Sequence, residues 1–344
     1  MPGEQPRIPG LVKLNTNESP FGPSPLALDA MRAAIADTLR LYPDPEATEL
    51  CEALAAHHGV KREQVFVGNG SDEVLAHAFA ALLNQPKPLL FPDVTYSFYP
   101  VWAQLFGIAC ETVPLDGEMR ARVGDYRREA GAIVIANPNA PTGIALPRTA
   151  ISQLLEDHPD IPVVIDEAYV DFGGETAVPL IGDHPNLLVV QTMSKSRALA
   201  GLRVGYALGD AGLITALRRV KDSFNSYPLG CVAQAGATAS VRDDAYFCES
   251  CARIIAGREM MTRELVSLGF VVLRSSANFV FARPPAGDGA EFAAALRDHA
   301  VLVRHFDKPR TASYLRITVG TEDDTRLLIA AAAEILATSR PRTA

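Results

Sequence analysis

Two runs of consecutive apolar residues constrain the fold most, because neither contains a polar residue and each ends in a polar loop. Residues 132–135 are Ala-Ile-Val-Ile and residues 161–165 are Ile-Pro-Val-Val-Ile. A strand that faces water on one side alternates apolar and polar residues, whereas a strand buried on both faces is apolar throughout. Strands of the second kind occur in parallel sheets that crossover helices cover on both faces. The sequence therefore predicts an α/β protein.

Five further β-rich runs alternate with segments whose apolar residues recur at helical spacings of three and four. We therefore expect a mostly parallel seven-stranded sheet with helices on both faces. The predicted strands cover residues 64–67, 88–91, 109–113, 132–136, 161–165, 186–191 and 204–208.

The pattern changes towards both ends of the chain. Residues 1–25 are rich in Pro, Gly and Asn and lack periodicity, which predicts an extended arm that packs against a surface elsewhere. Residues 26–245 form the predicted large domain, and residues 246–344 a smaller α+β domain. In the smaller domain we predict a helix that reaches residue 268, strands at 271–273, 277–282, 302–304 and 314–318, and helices at 290–300 and 322–338.

The composition argues against several classes of protein. The formal net charge of −8 leaves no basic field to hold nucleic acid or an anionic membrane. The longest apolar stretches fall well short of the roughly 18 residues that a membrane helix needs. The N-terminus has no apolar signal region, and the five scattered cysteines are typical of reduced thiols. We therefore expect a cytoplasmic protein.

Four polar loops follow four of the predicted strands, at the edge where ligands bind in open α/β sheets. We expect them to form one site, although the first would also make an ordinary helix cap at Ser71 and the second a plain turn. The first loop lacks the full dinucleotide and P-loop patterns. The loops are Gly68-Asn69-Gly70-Ser71-Asp72-Glu73, Asn137-Pro138-Asn139-Ala140-Pro141-Thr142-Gly143, Asp166-Glu167-Ala168-Tyr169, and Thr192-Met193-Ser194-Lys195 with Gly201-Leu202-Arg203 beyond it.

The residue types in these loops indicate one cofactor. A lysine at a strand end, such as Lys195, can act as an imine-forming nucleophile. A buried carboxylate such as Asp166 can hold a protonated pyridine nitrogen, while hydroxyls, an arginine and a helix N-terminus can hold a phosphate. The common compound with an aldehyde, a pyridine nitrogen and a phosphate is pyridoxal 5'-phosphate. The sequence therefore predicts this cofactor, and it predicts no metal.

At these residues the chain resembles the fold-type I pyridoxal-phosphate aminotransferases, and among them the histidinol-phosphate aminotransferase group. The Ser-Lys-x-x-x-x-x-Gly-x-Arg run from Ser194 to Arg203 and the Asp-Glu-Ala-Tyr tetrad carry the resemblance. It extends from Leu14-Asn15-Thr16-Asn17-Glu18 through Tyr42-Pro43 to Leu315-Arg316-Ile317-Thr318-Val319-Gly320. The resemblance implies an aspartate-aminotransferase-like large domain and a homodimer with shared active sites, with the arm near the dimer interface.

The resemblance also implies roles for the residues around the cofactor ring. Lys195 links covalently to the cofactor and moves the proton between the substrate α-carbon and C4′. Asp166 pairs with the ring nitrogen. Asn139 and Tyr169 bond the ring hydroxyl oxygen, and Tyr96 stacks on the ring face.

The remaining roles concern the two anionic groups in the site. The phosphate of the cofactor is expected on Ser71, Asp72, Thr192, Ser194 and Arg203, with Tyr42 reaching across from the other subunit. The anionic group of the substrate is expected on Arg316, with Arg304 and Asn139 beside it.

The implied reaction transfers an amino group from histidinol phosphate to 2-oxoglutarate, which yields imidazole acetol phosphate and glutamate in histidine biosynthesis. Three alternatives remain open at this point. They are an aromatic amino acid aminotransferase, a decarboxylase of phosphothreonine type, and a non-enzymatic cofactor-binding module of a regulator. The last would need a DNA-binding domain, and the residues before position 26 contain no basic helix.

Overall fold

The computed structural model describes residues 4–6, 8–285 and 287–339, and within them strands and helices alternate over most of the chain. The strands are β1 (Val12–Lys13), β2 (Val65–Gly68), β3 (Leu89–Pro92), β4 (Cys110–Val113), β5 (Ala132–Ala136), β6 (Val163–Asp166), β7 (Leu187–Thr192), β8 (Gly205–Gly209), β9 (Val271–Val272), β10 (Phe279–Arg283), β11 (Val301–Leu302), β12 (Arg304–His305) and β13 (Leu315–Thr318). The α-helices are α1 (Pro25–Ala34), α2 (Thr48–His58), α3 (Ser71–Ala78), α4 (Tyr99–Leu105), α5 (Arg148–Asp157), α6 (Ala211–Phe224), α7 (Cys231–Arg242), α8 (Asp244–Ser267), α9 (Gly289–Asp298) and α10 (Glu322–Ser339).

The described residues contain a seven-stranded sheet, the large sheet, with the strand order β2-β8-β7-β6-β5-β3-β4. Strand β8 runs antiparallel to both of its neighbours, and the other paired strands run parallel. The carboxyl ends of β2, β5, β6 and β7 therefore meet at one edge. The predicted mostly parallel α/β sheet is confirmed, with every strand within about two residues of its predicted position.

Successive side chains of the central strands enter two separate cores. In β6, Val163 and Ile165 pack on one face with α2, α5 and α7, whereas Val164 packs on the other with α3, α4 and α6. Since successive side chains of a strand point to opposite faces, helices on both faces require an apolar residue at every position. This requirement explains the uninterrupted apolar runs in the sequence.

A second sheet, the small sheet, has the order β12-β13-β10-β9 and is antiparallel throughout. The prediction of a single strand at 302–304 is wrong. Strand β11 pairs in parallel with β1, and β12 pairs with β13 in the small sheet. The chain changes partners at Val303, and an apolar pattern cannot show which neighbour a strand will choose.

The arm packs on the small-sheet side of the molecule. Val12 pairs with Val301, and the buried Leu14 joins the core beneath α10 and β13. Residues 15–17 then continue along the edge of the pocket. None of the helices in the part of the chain that the structure describes has both the length and the apolar character to cross a bilayer.

Candidate active site

A pocket opens at the carboxyl edge of the large sheet, between that edge and the small sheet. All four predicted loops contribute to its lining, together with residues 15–17 of the arm and residues from β12 and β13. The predicted site residues that line it are Ser71, Asp72, Tyr96, Asp166, Tyr169, Thr192, Ser194, Lys195, Arg203, Arg304 and Arg316.

One end of the pocket is suited to hold a phosphate. Helix α3 begins at Ser71, and Gly70 occupies the cap position with a φ of 83°. Ser71 is therefore the first helical residue, which excludes the simple helix-cap interpretation. A Cβ atom on Gly70 would overlap the Arg203 guanidinium, so the close approach of this arginine to the helix start requires glycine. A helix N-terminus beside a guanidinium is a site for an anion.

Two hydroxyls and a carboxylate complete this end. The Thr192 and Ser194 hydroxyl oxygens lie 3.0 Å apart. The Arg203 guanidinium donates to Ser194 Oγ at 3.4 Å and to Asp72 Oδ2 at 3.2 Å. Tyr96 Oη donates to Asp72 Oδ1 at 2.9 Å, which fixes the tyrosine ring above the pocket.

Asp166 ends β6 and is 5% exposed. Tyr99 Oη donates to its Oδ2 at 2.8 Å, and the amide of Ala168 donates to its Oδ1 at 3.3 Å. Burial outweighs these bonds and raises the pKa of the Asp166 carboxyl to about 6. A buried carboxylate of this kind is stabilised by a cation, and a protonated ring nitrogen can supply one.

Lys195 follows β7 and lines the pocket. Its Nζ donates to the Thr16 backbone carbonyl at 3.3 Å and lies 5.9 Å from the centre of the Tyr169 ring. Asn17 Nδ2 donates to Tyr169 Oη at 3.0 Å. The arm therefore contacts both residues that the sequence places at the reacting end of the cofactor.

Two arginines face each other on the opposite side of the pocket. Arg304 and Arg316 are direct partners across β12 and β13, and the Phe306 ring lies 5.6 and 5.4 Å from their guanidinium carbons. Arg316 donates to the Asn15 carbonyl at 2.9 Å, while its buried Nε has no hydrogen-bond partner among the described residues. Burial and the neighbouring Arg304 charge lower the pKa of Arg316. Like charges directly opposite each other are unfavourable, and a shared anion would offset the repulsion.

Two predicted site residues lie outside this pocket. Asn139 lines an adjacent cavity, and its Nδ2 donates to the Val94 carbonyl and to Thr142 Oγ1, both at 3.0 Å. Its buried Oδ1 has no partner in the described part of the chain. Tyr42 is 83% exposed and stacks on Tyr227 at 4.7 Å between ring centres.

Sequence reasoning assigned no role to Tyr99, Phe306 or residues 15–17 of the arm. Tyr99 lies on α4 and reaches Asp166 only because that helix packs beneath the strand end. No local pattern links Tyr99 to the site, because Tyr96, three residues earlier, lies before the start of α4. The arm residues carry no local signal, because their contacts lie about 150 to 300 positions away in sequence.

The donor set fits the cofactor that the sequence predicts. A phosphate matches the helix start with Arg203 and its hydroxyls, a protonated ring nitrogen matches Asp166, and an aldehyde would lie within reach of Lys195. In the described residues, no cluster of three or more His, Cys, Asp or Glu side chains could hold a metal ion.

Comparison with known proteins places the chain among aminotransferases. The sequence model of the family described as Aminotransferase class I and II matches residues 9–331. Histidinol-phosphate aminotransferase 1 of Bradyrhizobium diazoefficiens is 62% identical over 98% of this chain and 96% of its own length. Histidinol-phosphate aminotransferase 2 of Rhizobium meliloti is 61% identical, with the same coverage.

Solved structures agree with these matches. Histidinol-phosphate aminotransferase from Sinorhizobium meliloti, crystallised in complex with pyridoxal-5'-phosphate, has a TM-score of 0.86 at 28% identity, over 95% of this chain and 91% of that chain. Aspartate aminotransferase from Thermus thermophilus with maleate has a TM-score of 0.83 at 24% identity, over 94% and 91% of the two chains, which shows a shared fold. The chain belongs to the class I and II aminotransferases.

Proposed function

We propose that this chain is a pyridoxal-phosphate-dependent histidinol-phosphate aminotransferase, which transfers the amino group of histidinol phosphate to 2-oxoglutarate in histidine biosynthesis. The pair of opposed arginines, Arg304 and Arg316, carries this proposal. A monoanionic carboxylate needs one arginine, whereas a phosphate monoester carries up to two charges and gains from a second cation. The names of the relatives that are about 60% identical support the same substrate.

In this proposal four residues of the pocket act on the cofactor and the substrate. The bound cofactor supplies an electron-withdrawing ring that stabilises negative charge at the substrate α-carbon. Asp166 keeps the ring nitrogen protonated, and Tyr96 covers one face of the ring. The Lys195 amine moves the proton between the substrate α-carbon and C4′ of the cofactor. Tyr169 donates a hydrogen bond to the ring hydroxyl oxygen.

Asn139 and Tyr42 keep their predicted roles as part of this proposal. For Asn139 to contact the ring oxygen or the substrate, its amide has to exchange one of its present acceptors for the ligand. For Tyr42, the exposure of its ring supports a homodimer in which it reaches the phosphate of the other subunit. Light scattering at assay concentration tests the dimer, and an active monomer contradicts it.

The division at residues 25 and 245 and the cytoplasmic location stay predictions. The substrate is tested by steady-state kinetics with 2-oxoglutarate as acceptor, comparing kcat/KM for histidinol phosphate and for phenylalanine. We expect histidinol phosphate to be the better donor. A preference for phenylalanine of more than about tenfold, roughly 1.4 kcal/mol, would identify an aromatic amino acid aminotransferase instead.

A further inference from the structure

Asn17 connects the arm, the small sheet and the reacting end of the pocket. It is 1% exposed and has a left-handed backbone with a φ of 55°, which is uncommon for a residue with a side chain. Its backbone carbonyl accepts from Asn278 Nδ2 at 3.0 Å. A buried residue in this conformation is held by its surroundings, and such positions cluster at functional sites.

Hydrogen bonds to Thr318 determine which way the Asn17 amide faces. The Asn17 backbone N–H donates to Thr318 Oγ1 at 3.0 Å. Because the threonine hydroxyl accepts this bond, its own proton is available for Asn17 Oδ1, which lies 3.1 Å away. The amide oxygen therefore faces Thr318, and the amide nitrogen faces Tyr169.

This orientation in turn determines the direction of the Tyr169 proton. An amide NH₂ group can only donate, so Tyr169 Oη accepts from Asn17 at 3.0 Å and its own O–H must point elsewhere. The ring of Tyr169 packs edge-on against Phe279, with 5.1 Å between ring centres. None of the described residues accepts the Tyr169 proton, and the hydroxyl lines the pocket beside Lys195.

We infer that Asn17 is a positioning residue that directs the Tyr169 hydroxyl proton into the pocket, so that Tyr169 donates to the cofactor's ring oxygen. The inference rests on the proposed function, because that function supplies the ring oxygen. Thr318 acts one step further away, since it holds the Asn17 amide in the donating orientation. We call the hydrogen bonds that link Thr318, Asn17 and Tyr169 the relay. The relay connects the small sheet, the arm and the large sheet, and it forms only when all three are assembled.

The test uses the visible absorption of the holoenzyme as a function of pH. A hydrogen bond from Tyr169 stabilises negative charge on the ring oxygen, so it favours the form that has lost the proton of the lysine–cofactor linkage. Loss of the bond raises the pH midpoint of the spectral change. The ionisable groups that face Tyr169, namely Lys195, Arg316, Tyr96 and Tyr99, are present in every variant.

We expect Asn17→Asp to raise the midpoint by about one pH unit, because a carboxylate oxygen would accept the Tyr169 proton and withdraw it from the pocket. Tyr169→Phe should raise it by a similar amount. In the double variant, Asn17→Asp should add nothing to Tyr169→Phe. An added shift would show that the new charge acts directly on the cofactor and would overturn the inference.

Substitutions at Thr318 test the inference without adding a charge or changing the arm. Thr318→Val removes the hydroxyl and should raise the midpoint by about half a unit, because the Asn17 amide can then turn. Thr318→Ser keeps the hydroxyl and should behave as wild type. Equal midpoints for the Val and Ser variants contradict the relay. The exposed Asn84 supplies the matched control, and Asn84→Asp should leave the midpoint unchanged.

The outcomes separate this inference from the proposed function. A shift in Tyr169→Phe without a shift in Asn17→Asp overturns only the role of Asn17. An unmoved midpoint in Tyr169→Phe overturns the contact between Tyr169 and the ring oxygen as well. A purified protein without a visible band overturns the cofactor assignment itself.

Discussion

The two sides of the pocket are built in different ways. The floor consists of Asp166, Thr192, Ser194, Lys195 and Arg203, all within about ten residues of a buried strand of the large sheet. The wall consists of Arg304, Phe306, Arg316 and residues 15–17 of the arm. Its contacts join distant segments, since the residues of the Arg316 to Asn15 bond lie 301 positions apart. Local chain geometry positions the floor, whereas assembly of the whole molecule positions the wall.

The two sides also differ in the contacts that hold them in place. Floor residues lie at or near the ends of strands whose backbones are bonded to neighbours on both sides. Side-chain contacts join the wall to the large-sheet side, and one of them is an apolar cluster that contains Phe306, Val94 and Met119. Arg310 donates to Asp93 Oδ2 at 2.7 Å and to the Asp116 carbonyl at 2.9 Å. We therefore expect floor substitutions to abolish the chemistry and wall substitutions to change substrate use.

The largest effect is expected at Lys195. Lys195→Ala should lose transamination completely and still bind the cofactor non-covalently, because the phosphate site is untouched. The wild-type protein should be yellow, and borohydride should abolish its visible band. Activity assays and absorption spectra of both proteins check this, with Lys87→Ala as an exposed lysine control. A fully active Lys195→Ala variant would refute the role of the floor.

Asp166→Asn should keep the fold and most cofactor binding while kcat falls roughly 10²- to 10³-fold, about 3 to 4 kcal/mol. A neutral amide cannot hold the ring nitrogen protonated as a carboxylate does. Asp160→Asn, at an exposed position before the same strand, is the control. Near-normal turnover in Asp166→Asn would show that the carboxylate has only a structural role.

The same carboxylate should affect the stability of the cofactor-free protein. Burial raises the pKa of Asp166 from 3.8 to about 6, so between these values the folded state holds a proton that the unfolded state has lost. Stability therefore falls as pH rises through this window. Burial also raises the pKa of Glu167, from 4.5 to about 7, with the same sign.

Asp166→Asn lacks the first of these contributions. Relative to wild type, its free energy of unfolding should rise by about 3 kcal/mol between pH 4 and pH 8. Urea titrations at both pH values, without cofactor, measure the difference. If the two proteins differ by the same amount at both pH values, burial does not control the titration of Asp166.

On the wall, the two arginines should differ in effect. Arg316→Ala should lower kcat/KM about 100-fold for every amino donor, because it removes a buried charged donor. Arg304→Ala should lower kcat/KM about tenfold for histidinol phosphate and by a smaller factor for phenylalanine, because only the phosphate gains from a second cation. Arg274→Ala, at an exposed position, is the control. Equal losses for both donors in Arg304→Ala would favour the aromatic substrate.

The smallest effect is expected at the ion pair between Arg310 and Asp93, which connects the two sides. Arg310→Ala should raise KM about threefold for both donors with little change in kcat, since a half-buried ion pair contributes about 1 kcal/mol. Asp93→Asn should have the same effect, and the two changes should not add. Lys308 lies in the same loop, and Lys308→Ala should have no effect on KM. Additive effects would show that the ion pair does not hold the wall in place.

Local patterns in the sequence predict the large sheet and the floor. A strand buried on both faces is apolar at nearly every position, so the apolar runs at 161–165 and 187–190, which lead to Asp166 and Thr192, were visible without any structure. The carboxyl ends of parallel strands share one edge, so the loops that follow them had to converge. Strand positions and polar loops are local properties of the chain, and local properties can be predicted from sequence.

The wall, and the contacts that other segments make with the floor, depend on tertiary packing. The pairing of β11 with the arm, the approach of Asn17 to Tyr169 and the contact of Tyr99 with Asp166 each join segments whose own patterns do not specify a partner. Apolar periodicity predicts that a residue is buried, but it does not predict which residues pack against it, because burial free energy is non-directional. Hydrogen bonds between distant segments form only after packing has brought those segments together. The direction of the Tyr169 proton is therefore set only in the assembled molecule.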